Sequence, residues 1–437
     1  MPNCKQKEFG FPSFDRRQIE ADFEGGNVSS DGGVLLLREA ERRLGLIKAL
    51  SGCVADPRDP ALITHRQEEL LRQRIFGLAQ GYEDLNDHDT LRHDLAWQTA
   101  VERGDVLASS PTLCRLEQRA DRRAAVAMHR VLLEQFIASF AVPPTELILD
   151  FDATDDRVHG QQEGRFFHGY YGDYCFLPLY VFCGEQLLVS YLRPSKIDPA
   201  RHAWAILKLL VERLRQEWPE VKIVMRADSG FCRRKMLHWC DWAGVDYIIG
   251  LARNPRLEAL GTPLMAQAEQ AFATTQEKQR HFAWLEYGAA TWDRARQIIA
   301  KAEYTDKGRN PRFVVTSLEG DAQALYEQVY CARGEMENRI KEQQLGLFSD
   351  RTSCHAWWAN QFRVLLSAAA YVLMETIRRI GLAGTELARA QVGTIRLQLL
   401  KLGAVIVRNT RRIRFFFSSA FPQQELFRHV VAALGRT

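Results

Sequence analysis

Glu146–Asp156, E-L-I-L-D-F-D-A-T-D-D, constrains this chain more than any other stretch. Leu147–Phe151 is a short apolar run, acids stand at Asp150, Asp152, Asp155 and Asp156, and Pro143-Pro144 breaks whatever precedes it. The pattern predicts a buried strand whose C-terminal end delivers carboxylates. Side chains alternate along a strand, so Asp150 and Asp152 point one way and Phe151 the other. Acids beside a core are costly unless a metal, an arginine or open water meets them. A solvated acidic turn after an ordinary strand is the alternative reading.

A chain of 437 residues accommodates two or three domains and a large core. Its net charge of +4 does not by itself imply nucleic acid, but the basic residues cluster. Nine cysteines occur without a C-x-x-C pair. Cys232, His238 and Cys240 are neighbours without the second ligand pair that a zinc site needs, so reduced thiols are expected. Residues 1–10 lack an apolar signal core, and Val364–Met374 is too short to span a bilayer. The expectation is a soluble protein, cytoplasmic in a bacterium-like cell, with no membrane partner.

Up to about residue 140 the chain reads as mostly helical. Ser29-Ser30-Asp31 caps a predicted helix Val34–Leu44, and Thr64–Ala79 is a second, with Leu70, Leu71, Ile75 and Leu78 on one face. Gly25-Gly26 and Gly32-Gly33 lack a following Lys-Ser/Thr and read as turn glycines. Ser110-Pro111 starts a short helix on which Thr112, Arg115 and Arg119 share a polar face while Leu113 and Leu116 face inward. Such a face can enter a DNA groove or lie in solvent. Ala124–Ala141 follows as a long helix.

From residue 146 the pattern turns to strands. After Leu147–Phe151 come Tyr174–Phe182, Gln186–Arg193, a helix Ala203–Glu217, a strand Val221–Ala227 ending in Asp228-Ser229-Gly230, a helix Arg233–Ala243 and a strand Val245–Leu251. The order β-β-β-α-β-α-β is that of a ribonuclease-H-like mixed sheet, an α+β/α/β layout. In it the first and fourth strands are neighbours, so Asp152 and Asp228, 76 residues apart, would meet. Residues 252–325 read as a β-rich insertion (Arg280–Tyr287, Arg294–Ala302, Arg312–Ser317), basic, with Trp284, Trp292 and Phe313 interspersed. That mixture suits a surface that tracks a backbone and stacks bases, or a small sheet with its own core. On Tyr330–Gln344, read as one helix, Tyr330, Arg333, Glu337, Lys341 and Gln344 form a stripe, with Glu335 opposite. Ala359–Ile380 is a long apolar helix, Ala404–Phe417 a basic hairpin around Asn409-Thr410, and Gln424–Leu434 a final helix.

With Asp152, Asp228 and Glu337 so placed, the chain resembles bacterial insertion-sequence transposases of the DDE class along essentially its full length. D-A-T at Asp152–Thr154, R-A-D-S-G-F at Arg226–Phe231 and Y-C-A-R-G-E-M-E at Tyr330–Glu337 carry the likeness, the last fitting a Y-x2-R-x3-E motif. The family's lysine seven residues after the glutamate is Gln344 here, and Lys341 is the substitute. The expected division is a helical DNA-binding domain at 1–142, the catalytic core at 143–251, the β-rich insertion at 252–325, the core's second part with the Glu helix at 326–382, and a C-terminal region at 383–437, a candidate for dimerisation.

Phosphodiester cleavage needs an activated water and a stabilised leaving oxygen. Two Mg²⁺ ions about 3.5–4 Å apart can supply both, and Mn²⁺ is expected to substitute. Asp152 is assigned as the bridging ligand, Asp228 and Glu337 as ligands to one ion each, and Asp150 as the runner-up, deeper in the strand. Tyr330, Arg333 and Lys341 would hold phosphates. The resemblance implies cut-and-paste transposition: excision through a DNA hairpin, strand transfer into target DNA, and a homodimer in a synaptic complex on double-stranded terminal inverted repeats. Related enzymes place an aromatic early in the insertion's last strand, which makes Phe313, with Trp292 as runner-up, the candidate to stack on an extruded base. Two other classes share the fold: a catalytically silent domesticated DNA-binding protein, and a nuclease without strand transfer. A glycosidase using two carboxylates would not explain the basic insertion.

Overall fold

The computed structural model describes residues 9–435. Eight of its strands are β1 (Glu146–Ala153), β2 (Leu179–Cys183), β3 (Gln186–Tyr191), β4 (Lys222–Ala227), β5 (Asp246–Leu251), β6 (Gln279–Tyr287), β7 (Arg296–Thr305) and β8 (Arg312–Thr316). They lie in one sheet in the order β6-β7-β8-β5-β4-β1-β2-β3, and Gly308–Arg309 pairs with β7 as a ninth strand. The central strands β1, β4 and β5 are parallel. Their residues Leu147, Leu149, Phe151, Ile223, Val224, Met225, Tyr247, Ile248 and Ile249 are buried, as expected of a parallel centre covered on both faces. The mixed α/β sheet agrees with the expected fold class.

Helices supply those covers. The helix Ala203–Glu217 forms as predicted and buries Leu207, Leu210, Val211 and Leu214. Arg122–Ala138 belongs with the sheet and not with the helices before it, contrary to the boundary expected at residue 142. Its Leu133, Phe136 and Ile137 join the sheet's main core, and His129 Nε2 lies 3.2 Å from the Ser190 carbonyl of β3.

Two readings change in detail. The strand expected over Tyr174–Phe182 is broken: Asp173–Phe176 pairs instead with Asp156–Arg157 and Phe166–His168 in a separate three-stranded sheet. Pro178 explains the break, since it has no N–H to give a ladder. The expected insertion is also no separate sheet. β8 pairs antiparallel with β5, so its strands widen the main sheet. A helix, Pro255–Thr275, precedes them that the sequence reading did not include. Asn254 caps it by accepting from Leu257 N, and Pro255 opens its first turn; Pro263 inside it masked the helical pattern.

By contacts the chain divides into two compact units. One holds the described residues up to Ser51 with Asp56–Leu116 and those from Leu373 on; the other holds Gly52–Ala55 and Glu117–Val372. The first unit opens with an antiparallel hairpin, Phe9–Phe14 and Arg17–Ala21, before the expected helices begin. The helix Val34–Leu44 forms without a side-chain cap. Asp31, expected to cap it, is buried and accepts instead from Lys401 Nζ at 2.9 Å, Tyr82 OH at 2.8 Å and Trp97 Nε1 at 2.9 Å. Gly33 is a close-approach glycine, not a turn glycine: a Cβ there would stand 2.0 Å from the Leu399 carbonyl oxygen. Among the described residues no helix is long and apolar enough to cross a membrane.

Phe313, expected to stack on a base, is 3% exposed, and a Cβ on Gly261 of the Pro255–Thr275 helix would lie 3.3 Å from its ring. Alternation along β8 sends it inward, into the core. Phe313→Ala should therefore cost about 3–5 kcal/mol of stability, read as a lowered urea midpoint; a loss under about 1 kcal/mol would contradict this burial.

Candidate active site

β1 and β4 run in register, with Asp150 opposite Arg226 and Phe151 opposite Ala227. The next residues are Asp152 and Asp228. Asp228 leaves the strand as the cap of a short turn, its Oδ1 accepting from Gly230 N at 2.8 Å. Asp152 stays at the strand end, its side chain 13% exposed and its Oδ1 accepting from its neighbour Ala153 N at 2.9 Å.

Asp150 has a different partner. Arg226 Nε and Nη2 donate to its two oxygens at 2.5 and 2.7 Å, both residues being buried. Burial pulls the Asp150 carboxyl above its usual pKa and Arg226 opposes this. Arg226 Nη1 also donates to the Val329 carbonyl at 2.5 Å. One guanidinium thus ties β1, β4 and the segment leading to Tyr330. Sequence reasoning quoted Arg226 within a motif but gave it no role. The signal was available: a buried strand arginine opposite an aspartate in a parallel pair.

The stretch Tyr330–Gln344 is helical but not one regular helix. Leu325–Tyr330 and Glu342–Gly346 are wide π-type turns, Cys331–Arg333 is a tight 3-10 turn, and Gly334–Lys341 is α-helix. Each change of pitch rotates the side chains of the next segment about the helix axis. Tyr330, Arg333 and Glu337 still reach the acids. The Tyr330 hydroxyl lies 2.6 Å from where a Cβ on Gly250 would stand, so this glycine leaves room for the phenol near Asp228. Arg333 Nη1 stands 3.6 Å from Asp152 Oδ2 and 3.3 Å from Glu337 Oε1, between the two. Lys341 is exposed one turn further on. Gln344, where the motif's lysine was expected, leaves the stripe: its Nε2 donates to the Asp155 carbonyl at 3.1 Å, tying this segment to the loop after β1. Glu335, expected to point away, is near enough to Asp150 to raise its pKa.

The electrostatics reflect three carboxylates and one guanidinium in a partly dry cleft. Burial pushes the Asp152 carboxyl up to about 6; Arg333 opposes the rise, while Asp228 and Glu337 add to it. Burial works against the charge on Arg333, yet Asp152, Asp228, Tyr330 and Glu337 hold its pKa above the ordinary value. Burial, and then Asp155 and Asp152, push the Tyr171 phenol up to about 12, placing that loop tyrosine among the site's neighbours. Among the described residues no three His, Cys, Asp or Glu side chains stand close enough together to hold a metal ion. The donor set nevertheless suits a hard cation such as Mg²⁺, and a guanidinium stands between two of its members as a positive charge.

Other predicted residues lie elsewhere. Trp292 is half-buried, 5.6 Å from the Tyr287 ring, with the Arg296 guanidinium 6.0 Å from its own ring. Thr112 and Arg115 belong to the other compact unit, on the helix Ser110–Glu117. Leu113 and Leu116 are buried there as expected, and Arg115 Nη2 donates to Thr112 Oγ1 at 3.1 Å. Arg119 does not share that face, because the helix ends at Glu117. Ser110, expected as its cap, lies inside the helix and donates its hydroxyl to Asp89 at 2.8 Å. Burial pushes the thiols of Cys232 and Cys240 up to about 12, and His238 Nδ1 lies 3.0 Å from Asp293 Oδ2.

The raised Asp152 carboxyl makes a signed prediction. Between the ordinary value of 3.8 and about 6 the folded, metal-free protein binds a proton that the unfolded chain does not. Its contribution to stability is complete below 3.8 and is lost as pH rises through 6. Asp152→Asn, which cannot ionise, should raise metal-free stability at pH 7–8 by roughly 1–3 kcal/mol and have little effect near pH 4. Denaturant melts at both pH values check this; destabilisation at pH 8 would contradict it.

No curated protein matches the sequence. Among solved structures, the cryo-EM structure of a piggyBac transposase synaptic complex with hairpin DNA is similar over 84% of this chain and 80% of that chain, at 8% identity and a TM-score of 0.44. The family model for the Transposase DDE domain group 1 matches residues 11–437. That match spans nearly the whole chain, and the chain belongs to the DDE-domain transposase family.

Proposed function

We propose that this protein is a DNA transposase that cuts at transposon ends and joins them to target DNA, with Asp152, Asp228 and Glu337 as its metal ligands. The observation that supports the reading is the parallel register of β1 and β4, which puts Asp152 and Asp228 just past paired residues, together with Arg333, which lies near both Asp152 and Glu337. Family membership supports transposase activity in general. Cleavage chemistry, strand transfer and the choice of Mg²⁺ are this reading's additions.

Bound divalent ions would activate a water or a 3′-hydroxyl and stabilise the leaving oxygen. The protein's own residues do the rest. Asp152, Asp228 and Glu337 would hold the ions, and Asp152 is a carboxylate whose charge burial disfavours in their absence. Asp150 is committed to Arg226 and keeps the strand end rigid, which favours Asp152 over it as ligand. Tyr330 and Arg333 present a hydroxyl and a guanidinium beside the acids, and Lys341 adds a charge one turn along, together a cradle for phosphates. Arg333 changes partners in the reaction, from carboxylates to the DNA backbone. DNA is bound as duplex, at the terminal repeats and at the target, by a homodimer.

Asp152→Asn, Asp228→Asn and Glu337→Gln should each fall to background in Mg²⁺-dependent nicking of an end-containing duplex, while duplex affinity in a gel shift holds or rises because a negative charge facing phosphate is gone. Full activity in Asp228→Asn or Glu337→Gln removes the assignment. Paired ends with a target plasmid separate a transposase, which yields joined products, from a nuclease, which yields only cuts.

Arg115 is the candidate for reading the end sequence. Arg115→Ala should weaken binding to the end more than to random duplex, by roughly 1–3 kcal/mol, in competition gel shifts. Equal loss on both would make it a phosphate contact, and no loss would remove it from the interface.

A further inference from the structure

The strands Ala404–Arg408 and Ile413–Phe417 form an antiparallel ribbon in the first compact unit. Its inner face is anchored. Ala404 and Ile406 are buried, Ala404 pairs with Ser29 of the short strand Val28–Ser29, and the Phe417 ring sits 5.4 Å from that of Phe427 on the closing helix. Its outer face is open: Val405, Val407, Arg414 and Phe416 are all exposed. The tip is rigid. Asn409 N donates to the Arg412 carbonyl at 3.0 Å, and Asn409 Oδ1 accepts from the backbone N–H of Arg411 and Arg412 at 3.0 and 2.9 Å.

Arg408 donates to Gln98 Oε1 at 3.0 Å. The guanidinium groups of Arg411, Arg412 and Arg414, by contrast, make no ion pair or hydrogen bond among the described residues. Some surface arginines elsewhere are matched, as Arg213 is by Glu134 and Arg309 by Glu269, while others, such as Arg122, Arg130 and Arg253, are not; what sets the ribbon apart is three such groups within four residues. No acid offsets the ribbon locally either: residues 387–424 contain seven Lys and Arg and no Asp or Glu. Three unmatched guanidinium groups on a stiff, narrow, two-stranded projection fit a polyanion with a groove. The major groove of a duplex admits such a ribbon, and phosphates along its edges take arginine forks.

We propose that this ribbon is a second DNA contact, built apart from the acidic site, in which Arg411, Arg412 and Arg414 bind duplex phosphates independently of sequence. It rests on the DNA-transposase reading. In that role the C-terminal region serves DNA attachment, where dimerisation was the expectation.

The test is fluorescence anisotropy of the full chain on a labelled random-sequence duplex across a KCl titration, with nicking of an end-containing duplex in parallel. The triple Arg411→Ala/Arg412→Ala/Arg414→Ala variant should bind about 10- to 100-fold more weakly, with a salt slope shallower by about 0.9 for each phosphate no longer neutralised. The triple Arg→Lys variant should keep most of the slope, and Arg213→Ala should match the wild type. All three arginines are exposed, so an unchanged melting temperature is expected; should the triple variant melt early, Arg412→Gln alone must still flatten the slope by about 0.9. A wild type that binds and nicks DNA beside an alanine variant of unchanged slope overturns this proposal alone. A wild type that binds no duplex overturns the transposase reading and this with it. Loss of sedimentation with anionic phosphatidylserine vesicles in the alanine variant, with duplex binding unchanged, would make the ribbon a membrane contact instead.

Discussion

The buried pair of Arg226 and Asp150 is the interaction on which the rest of the site depends. Its partners sit on adjacent parallel strands, and the same guanidinium holds the carbonyl of Val329, 103 residues away in sequence. Burying two charges is expensive, and a pair of this kind contributes little net stability compared with apolar residues of similar size. What it contributes is register. A bidentate fork accepts one geometry, and a slip of β1 by one residue would leave a charge uncompensated in the core. The strand ends carrying Asp152 and Asp228 are therefore aligned by chemistry located two residues deeper, and the start of the Glu337 segment is pinned by the same group.

That division of labour separates positioning from reactivity. Asp150 has its countercharge and is closed to further chemistry. Asp152, only two residues on, does not: its one close cation, Arg333, is shared with Glu337, and burial leaves its carboxyl raised to about 6. The cleft therefore holds more negative than positive charge, with one guanidinium shared between two carboxylates. The pitch changes on either side of Gly334–Lys341 shape the same cleft. They let Tyr330, Arg333 and Glu337 converge on the strand ends while Gln344 turns away to bind the loop after β1.

Around this centre the sheet is unusually wide. The strands from Gln279 to Thr316 continue it instead of forming a separate body, and the Pro255–Thr275 helix packs over them. Any basic surface they offer is thus held on the same rigid sheet as the acids. The aromatic residues there serve the core: Phe313 faces Gly261, and Trp292 packs on Tyr287.

Much of this was legible in the sequence because it is encoded by local period. Alternation over Leu147–Asp152 sets which acids share a side, and the order of apolar runs sets a mixed sheet. The β1–β4 neighbourhood follows from the topology that this order implies. What only the tertiary structure decided is the identity of distant partners. Nothing near Arg226 says that it will also take the Val329 carbonyl, and nothing near Phe313 says that a helix with an internal proline will cover it. The interruption of the expected strand at Leu177-Pro178, the end of the Ser110–Glu117 helix before Arg119 and the solitude of Arg411, Arg412 and Arg414 are of the same kind. Each depends on what else in the chain competes for a hydrogen bond, a charge or a volume, and that competition is settled between residues far apart in sequence, where periodicity carries no information.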